Sequence, residues 1–293
     1  MPGAQIVLAA GRRHSVGLRP DGTVLACGSN SAGECEVDRW RQVISVTAGN
    51  VHTARNTGKS HTVALRADGT VLATGLNSDG QCALEHWRDI TFVAAGWRRT
   101  LGVRADGTVY AVGRTAEGAC QVHSWQQIIA VACGDWHSVG LRADGTAVAT
   151  GNDRRGQCAV ERWEELIAIS AGYLHTVGLR TDGRVVAIGD RSNGACAVAE
   201  WEEMLAVDAG SYHTVGVNAA GTVLAVGDNS YGQCEVSRWQ NVVAVAAGST
   251  HTLALCADGT VRSTGNNAEG QGEVAHWPPL RLPGTAEPPG SRL

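Results

Sequence analysis

A phrase of 38 residues, plain at 134–171, recurs seven times in this chain of 293. A period of that length decides the architecture before any local argument does. Opening glycines stand at Gly11, Gly49, Gly96, Gly134, Gly172, Gly210 and Gly248, spaced by 38 except for one interval of 47 that holds an insertion of nine. Behind each, with single exceptions, a His-Ser or His-Thr pair, an Asp-Gly, two further glycines, a cysteine and a tryptophan recur in register.

The repeats run through 5–277 without a shift in composition, which predicts one domain. Its units fall at about 5–40, 41–87 (with the insertion at 50–58), 88–125, 126–163, 164–201, 202–239 and 240–277. Residues 278–293 are rich in Pro and Gly and read as a mostly disordered tail, with 280–282 able to add an edge strand.

In the unit that begins at 164, Leu166–Ala171 is an apolar run closing on small residues, as a strand would be where neighbours crowd together. Gly172 turns the chain, and His175–Arg180 alternates with period two up to the Asp182-Gly183 hairpin signal. Residues 184–188 return as a third strand, and 195–198 read as a short fourth before Trp201. Seven four-stranded units without an amphipathic helix predict an all-β fold, a seven-bladed β-propeller. Strand direction gathers the Gly-x-x-His turns and the Gly-to-Gly loops on one face, the loop face. The Asp-Gly hairpins lie on the opposite, hairpin face.

The pattern A-G-x-x-H-T-V-G-L-R-x-D-G-T-V-x-A-x-G-x-N-x-x-G-Q-C resembles the repeat of the regulator of chromosome condensation family over about nine-tenths of the chain. That resemblance implies a seven-bladed propeller. The units are shorter than those of the eukaryotic nucleotide-exchange factor of the family and look more like bacterial propellers of the superfamily, one of which inhibits β-lactamases. Fold does not carry function with it, because propellers present unrelated sites.

Net charge is −4, and no run of like charges suggests a nucleic-acid arm or a membrane-surface patch. Apolar stretches of four to six residues are far short of a helical span of about 20. Six of the nine cysteines (Cys35, Cys82, Cys120, Cys158, Cys196, Cys234) hold one repeat position. Equivalent positions in neighbouring repeats lie farther apart than a disulfide reaches, so free thiols in a reducing, cytoplasmic setting are expected. Cys27, Cys133 and Cys256 break the register and are the candidates for reactivity.

A histidine in six units (His14, His61, His137, His175, His213, His251), with Arg99 in the seventh, reads as a structural hydrogen-bonding group, not a metal ligand. The register tryptophans, Trp40, Trp87, Trp125, Trp163, Trp201, Trp239 and Trp277, read as wedges between blades. No catalytic constellation, cofactor motif or metal-ligand set rises above the repeat.

What varies between blades is free for recognition. The pairs after the opening glycines are Arg12-Arg13, Lys59-Ser60 (counted from Gly58), Trp97-Arg98, Asp135-Trp136, Tyr173-Leu174, Ser211-Tyr212 and Ser249-Thr250. The expected partner-binding face therefore carries Arg12, Arg13, Lys59, Trp97, Arg98, Arg99, Asp135, Trp136, Tyr173 and Tyr212, joined by the loop residues Arg114, Arg154, Arg155 and Arg191. Gly96-Trp97-Arg98-Arg99-Thr100 is similar to the Gly-Trp-Arg-His-Thr motif of the plant ultraviolet-B photoreceptor of the family, which supports that face as a contact surface. The insertion is expected to project from it, and 49–53 resembles a stuttered copy of the turn it interrupts. The leading expectation is a protein-binding scaffold, monomeric or a homodimer through the loop face. The resemblance adds nucleotide exchange on a small GTPase as an alternative, and the channel mouth adds a small-molecule site.

Overall fold

The computed structural model describes residues 6–54 and 57–282. Among the described residues there is no helix; 21 strands form seven sheets of three consecutive strands each. In the fifth blade Leu166–Ala171 pairs antiparallel with His175–Arg180, which pairs with Val185–Gly189. Gly183 takes φ 78° in the hairpin between the last two, left-handed backbone that glycine adopts without a Cβ clash. Asp182 Oδ1 accepts the Arg184 N–H at 2.9 Å and fixes the turn.

The expectation of seven blades holds, but that of four strands per blade does not. The segment before each tryptophan coils into successive turns: Ala197 N–H donates to Gly194 and Trp201 N–H to Val198, both at 3.0 Å. Backbone groups spent on local turns cannot build a ladder to the third strand.

The first strands of all seven blades line a central channel of about 130 Å³, walled by Ala10, Ala48, Ala95, Ala171, Ala209 and Ala247 among others. Asp208 lies on this wall, held by Ser170 Oγ at 2.7 Å and the Ala247 N–H at 2.8 Å, and burial pushes its carboxyl up. At the loop-face end Asp135 N–H reaches Gly172 O and Ser249 N–H reaches Gly11 O, each at 3.3 Å, so backbone bonds join neighbouring blades around the mouth. A Cβ on Gly172 would collide with the Gly210 carbonyl and the His175 ring, which is why small residues recur there.

Each tryptophan is a wedge between its own blade and the next. Trp163 packs with Val139, Leu141 and Val160 on one side and Leu166 on the other, and a Cβ on Gly178 would lie 3.0 Å from its ring. Six of the seven are buried. Trp277 is half-buried and makes the same approach to Gly17, closing the ring onto the first blade. Packing continues beyond it. Residues 280–282 are not in a strand, yet Leu280 is fully buried in the first blade's core. Its N–H reaches Gly259 O at 2.9 Å, the bond that Met204 N–H makes to Gly183 in the sixth blade. The C-terminal segment thus stands in for the start of a first strand that is otherwise only Leu8–Ala10. Residues 283–293, most of the expected disordered tail, lie outside the described residues.

The register histidines form a belt. His14 Nε2 meets Thr62 Oγ1 at 2.9 Å, His137 meets Thr176 at 2.8 Å, His175 meets Thr214 at 3.1 Å, and His251 returns to Ser15 at 3.0 Å. The hydroxyl gives its own proton to a backbone carbonyl, as Thr176 does to Gln157 O at 2.7 Å, so the imidazole is the donor, neutral and protonated on Nε2. Burial pulls His14 and His175 down to about 4, and His61, His137, His213 and His251 to about 3.

All nine cysteines are unbridged. The register thiols are half-buried and donate to the carbonyl six residues back, as Cys35 does to Ser29 O at 3.2 Å. Burial pushes Cys35 and Cys158 up to about 12, and Cys82 and Cys234 to about 11. Cys27 and Cys133 are likewise raised to about 11, so breaking register does not activate them. A thiol reagent at pH 7.5 should therefore label the native protein at less than about a tenth of the rate of the urea-unfolded chain. The unfolded, unreduced chain should yield all nine thiols. Rapid labelling of the native fold, or fewer than about eight thiols after unfolding, would contradict this.

A bulge where the first strands begin turns one residue outward in four successive blades, exposing Ile129, Ile167, Leu205 and Val243 beside the hairpins. In sequence such residues belong to an apolar run that reads as a packed strand, as Ile167 does in Leu166–Ala171. The register shift, after a residue at positive φ (Gln127, Glu165, Glu203, Asn241), moves them to solvent.

Candidate functional site

Among its described residues, 50–54 and 57–58, the insertion does not simply project from the loop face: Asn50, Val51, His52 and Thr57 are buried in the channel mouth, while Thr53 and Ala54 are exposed. Asn50 Oδ1 accepts from Ser249 Oγ at 2.7 Å and Ser211 Oγ at 3.2 Å, while its Nδ2 donates to Ala247 O at 3.3 Å. The Arg12 guanidinium donates to the carbonyls of Val51, His52 and Ala54, and Thr57 Oγ1 donates to His52 O at 2.6 Å. Buried there and next to Arg13, Arg12 is pulled down to about 10. A short chain of backbone amides entering an apolar channel must find donors and acceptors, and the variable residues of the mouth supply them.

This seats the His52 ring among aromatic side chains of three blades. Its centroid lies 4.9 Å from Tyr173, 5.5 Å from Trp136 and 5.3 Å from Trp97. Tyr212 packs against Tyr173, with ring centroids 5.2 Å apart. Asp135, itself buried, accepts both the His52 backbone N–H, at 2.5 Å, and its Nδ1–H, at 2.7 Å, on one oxygen.

Trp97 reaches inward because the third blade turns more tightly than the others. Gly96 pairs with Arg99, leaving a two-residue turn with Arg98 at φ 56°. The guanidinium groups of Arg98 and Arg114 lie 5.3 and 5.1 Å from the Trp97 ring centroid. Each is tied to a carboxylate, Arg98 to Asp79 at 3.3 Å and Arg114 to Glu117 at 2.6 Å.

The expected face is thus divided. Arg99 is not on it: the side chain is 2 % exposed and runs into the fourth blade, donating to Ser138 Oγ at 2.9 Å and to the carbonyls of Asp135, Gly134 and His137. It replaces one link of the histidine belt. Arg12, Trp97 and Asp135 are buried as well, serving the insertion. Arg13 is half-buried and paired with Glu269 at 3.1 Å, and Arg155 lies 3.9 Å from Asp190. Lys59, Arg154 and Arg191 are exposed and form no ion pair among the described residues.

Trp136 and Tyr173, both half-buried, also line an open cleft of about 710 Å³ with Leu174, bounded by Glu117, Arg154 and Arg155. Sequence reasoning missed His52 and Leu174. The signal for His52 was present, since an insertion, like the variable pairs after the opening glycines, is free to bring in a ring the repeat does not require. Among the described residues no group of three or more His, Cys, Asp or Glu side chains is placed to hold a metal.

Among curated proteins none matches this chain. Several solved structures share its fold. The CRINKLY WD40 ectodomain of the Arabidopsis thaliana receptor kinase ACR4 is 18% identical, covering 90% of this chain and 98% of that one, with a TM-score of 0.70. Prp20p of Saccharomyces cerevisiae is 16% identical over 94% of this chain and 87% of its own, with a TM-score of 0.68. Human WBSCR16 is 18% identical over 84% and 85%, with a TM-score of 0.67. The regulator of chromosome condensation (RCC1) repeat matches residues 6–34, 56–81, 128–157, 166–195, 205–233 and 242–271, passing over only the blade in which Arg99 replaces histidine. With more than half of its residues matched in six in-register copies, the chain belongs to the RCC1-repeat family.

Proposed function

We propose that this protein is a binding propeller that docks a protein partner on its loop face, through the cleft lined by Trp136, Tyr173, Leu174, Arg154 and Arg155. The observation that carries this reading is the cleft itself, in which half-buried aromatic rings lie beside exposed arginines. These are the residue types that dominate binding energy at interfaces, and arginine can pair with a partner's carboxylate in two-point geometry. Prp20p, the yeast RCC1 of the same fold, is described for its binding to Gsp1p and histones and is seen bound to Kap60, so a protein partner suits the scaffold. Nucleotide exchange on a small GTPase rests on the family resemblance alone. The unbridged cysteines favour a reducing, cytoplasmic setting.

Reversing charge with Arg154→Glu and Arg155→Glu should leave the melting temperature unchanged and weaken partner capture about thirty- to a thousandfold, the equivalent of roughly 2–4 kcal/mol at an interface centre. Nucleotide release from candidate GTPases should not respond to either form. The control is Arg184→Ala with Glu202→Ala, an exposed pair 3.6 Å apart near the hairpins. If that pair abolishes capture and the cleft variant does not, the partner binds the hairpin face, where Ile129, Ile167, Leu205 and Val243 are exposed.

A further inference from the structure

We propose that the pocket walled by Trp97, Trp136 and Tyr173, with Asp135 at its edge, is a binding site for a planar nitrogen heterocycle bearing an N–H, and that His52 fills it as an internal ligand. The site is independent of whether a protein docks in the neighbouring cleft, although Trp136 and Tyr173 belong to both.

Shape comes first. Trp136 and Tyr173 each lie 31° from the plane of the His52 ring, and Trp97 meets it edge-on at 77°. Two tilted rings and one edge-on ring, with centroids 4.9–5.5 Å from that of His52, make a pocket suited to a flat ring. Polarity is second. Asp135 Oδ2 takes the ring N–H at 2.7 Å, as it would take the N–H of any azole seated in the same way. His52 does not satisfy the whole pocket. The Asp135 Oδ1 acceptor and the Trp97 Nε1 donor are buried without hydrogen-bond partners among the described residues. Buried polar atoms are seldom left so, and a ring free of the chain can turn its N–H and its acceptor nitrogen towards them where the tethered His52 ring does not.

His52 belongs to the insertion and not to the repeat. Deleting residues 50–58 would join Gly49 to Lys59 and restore the Gly-x-x-His spacing of the other units as Gly-Lys-Ser-His. The walls would remain, since Trp97, Trp136, Tyr173 and Asp135 all come from blade turns. Any ligand of the native protein must compete with a ring held at high effective concentration by its own chain.

The test uses imidazole at pH 8, with binding read from saturation transfer to the imidazole protons in the full-length chain. His52→Ala and the 50–58 deletion should each bind imidazole at least about tenfold more tightly than the wild type, because the internal ring no longer competes. 1-Methylimidazole, whose neutral ring has no N–H, should bind both variants at least about fivefold more weakly than imidazole. Adding Trp136→Leu to either variant should abolish binding. If His52→Ala fails to fold, the deletion decides alone, since it returns the second unit to the regular repeat length. Imidazole binding no tighter in the folded variants than in the wild type would overturn the proposal. Equal binding of the two azoles would overturn the role of Asp135 as the reader of the N–H.

Discussion

Acidification from pH 7.5 to 5 is expected to unfold the propeller with the uptake of about six protons. The six belt histidines are neutral in the fold and are held at about 3–4 by burial, whereas an unfolded histidine titrates near ~6.5. The unfolded chain therefore binds protons first. Stability is fully present above about pH 6.5 and falls as pH drops towards the folded values, below which no more is lost. With six groups the limiting slope is ~8 kcal/mol per pH unit. Against a typical domain stability of ~5–15 kcal/mol, the midpoint should lie at roughly pH 5–6. Carboxylates do not produce the effect in this window. Asp21, Asp68, Asp106, Asp144 and Asp258 are held below their ordinary range, first by hydrogen bonds from the Thr two residues on, so they protonate later. Circular dichroism against pH, with potentiometric proton counting, checks the prediction. A fold that persists at pH 4.5, or uptake of fewer than about three protons, would mean that the belt is not neutral or not buried. Replacing His175 by Asn should lower the slope by ~1.4 kcal/mol per pH unit, since one titrating group is removed.

Trp163→Ala should destabilise the protein by ~3–5 kcal/mol. The indole fills the space between the fourth and fifth blades, against Val139, Leu141 and Leu166, and Gly178 leaves no side chain that could relax into the void. Neighbouring blades in a repeat array are held by such interfaces, so loss of one should lower cooperativity as well as the midpoint. Trp277→Ala, half-buried at the ring closure, should cost less because Leu280 keeps part of that contact. Urea and thermal melts measure both. A loss below about 1 kcal/mol for Trp163→Ala would mean that the register tryptophans are not wedges.

Burial also changes which substitutions report on binding. Trp97 and Arg98 occupy positions whose register equivalents, Asp135-Trp136 and Tyr173-Leu174, share neither size nor charge, which in sequence makes the pair look dispensable for the fold. In the structure Trp97 walls the His52 pocket and Arg98 leans on its ring. Replacing both would disturb the channel mouth along with any interface. Arg154 and Arg155, both exposed, are the cleaner probes.

The sequence alone determined the seven blades, their order, the two faces, the register histidines as structural hydrogen-bonding groups and the tryptophan wedges. Each of these depends on contacts between residues at fixed offsets, within one unit or between one unit and the next, and so each leaves a periodic trace. The bond from His137 to Thr176 is the bond from His175 to Thr214, one period on. Only the tertiary structure decided where the aperiodic residues go. His52 meets Asp135 across 83 positions, and Val51 meets Ser249 across 198. No offset in the chain encodes either contact. The nine inserted residues were visible as an interruption, but that Asn50, Val51, His52 and Thr57 sink into the mouth depended on a channel wide enough to receive them and on polar groups from several blades able to satisfy their backbone. That same filling buried Arg12, Trp97 and Asp135, and left Trp136 and Tyr173 shared between an inner pocket and an outer cleft.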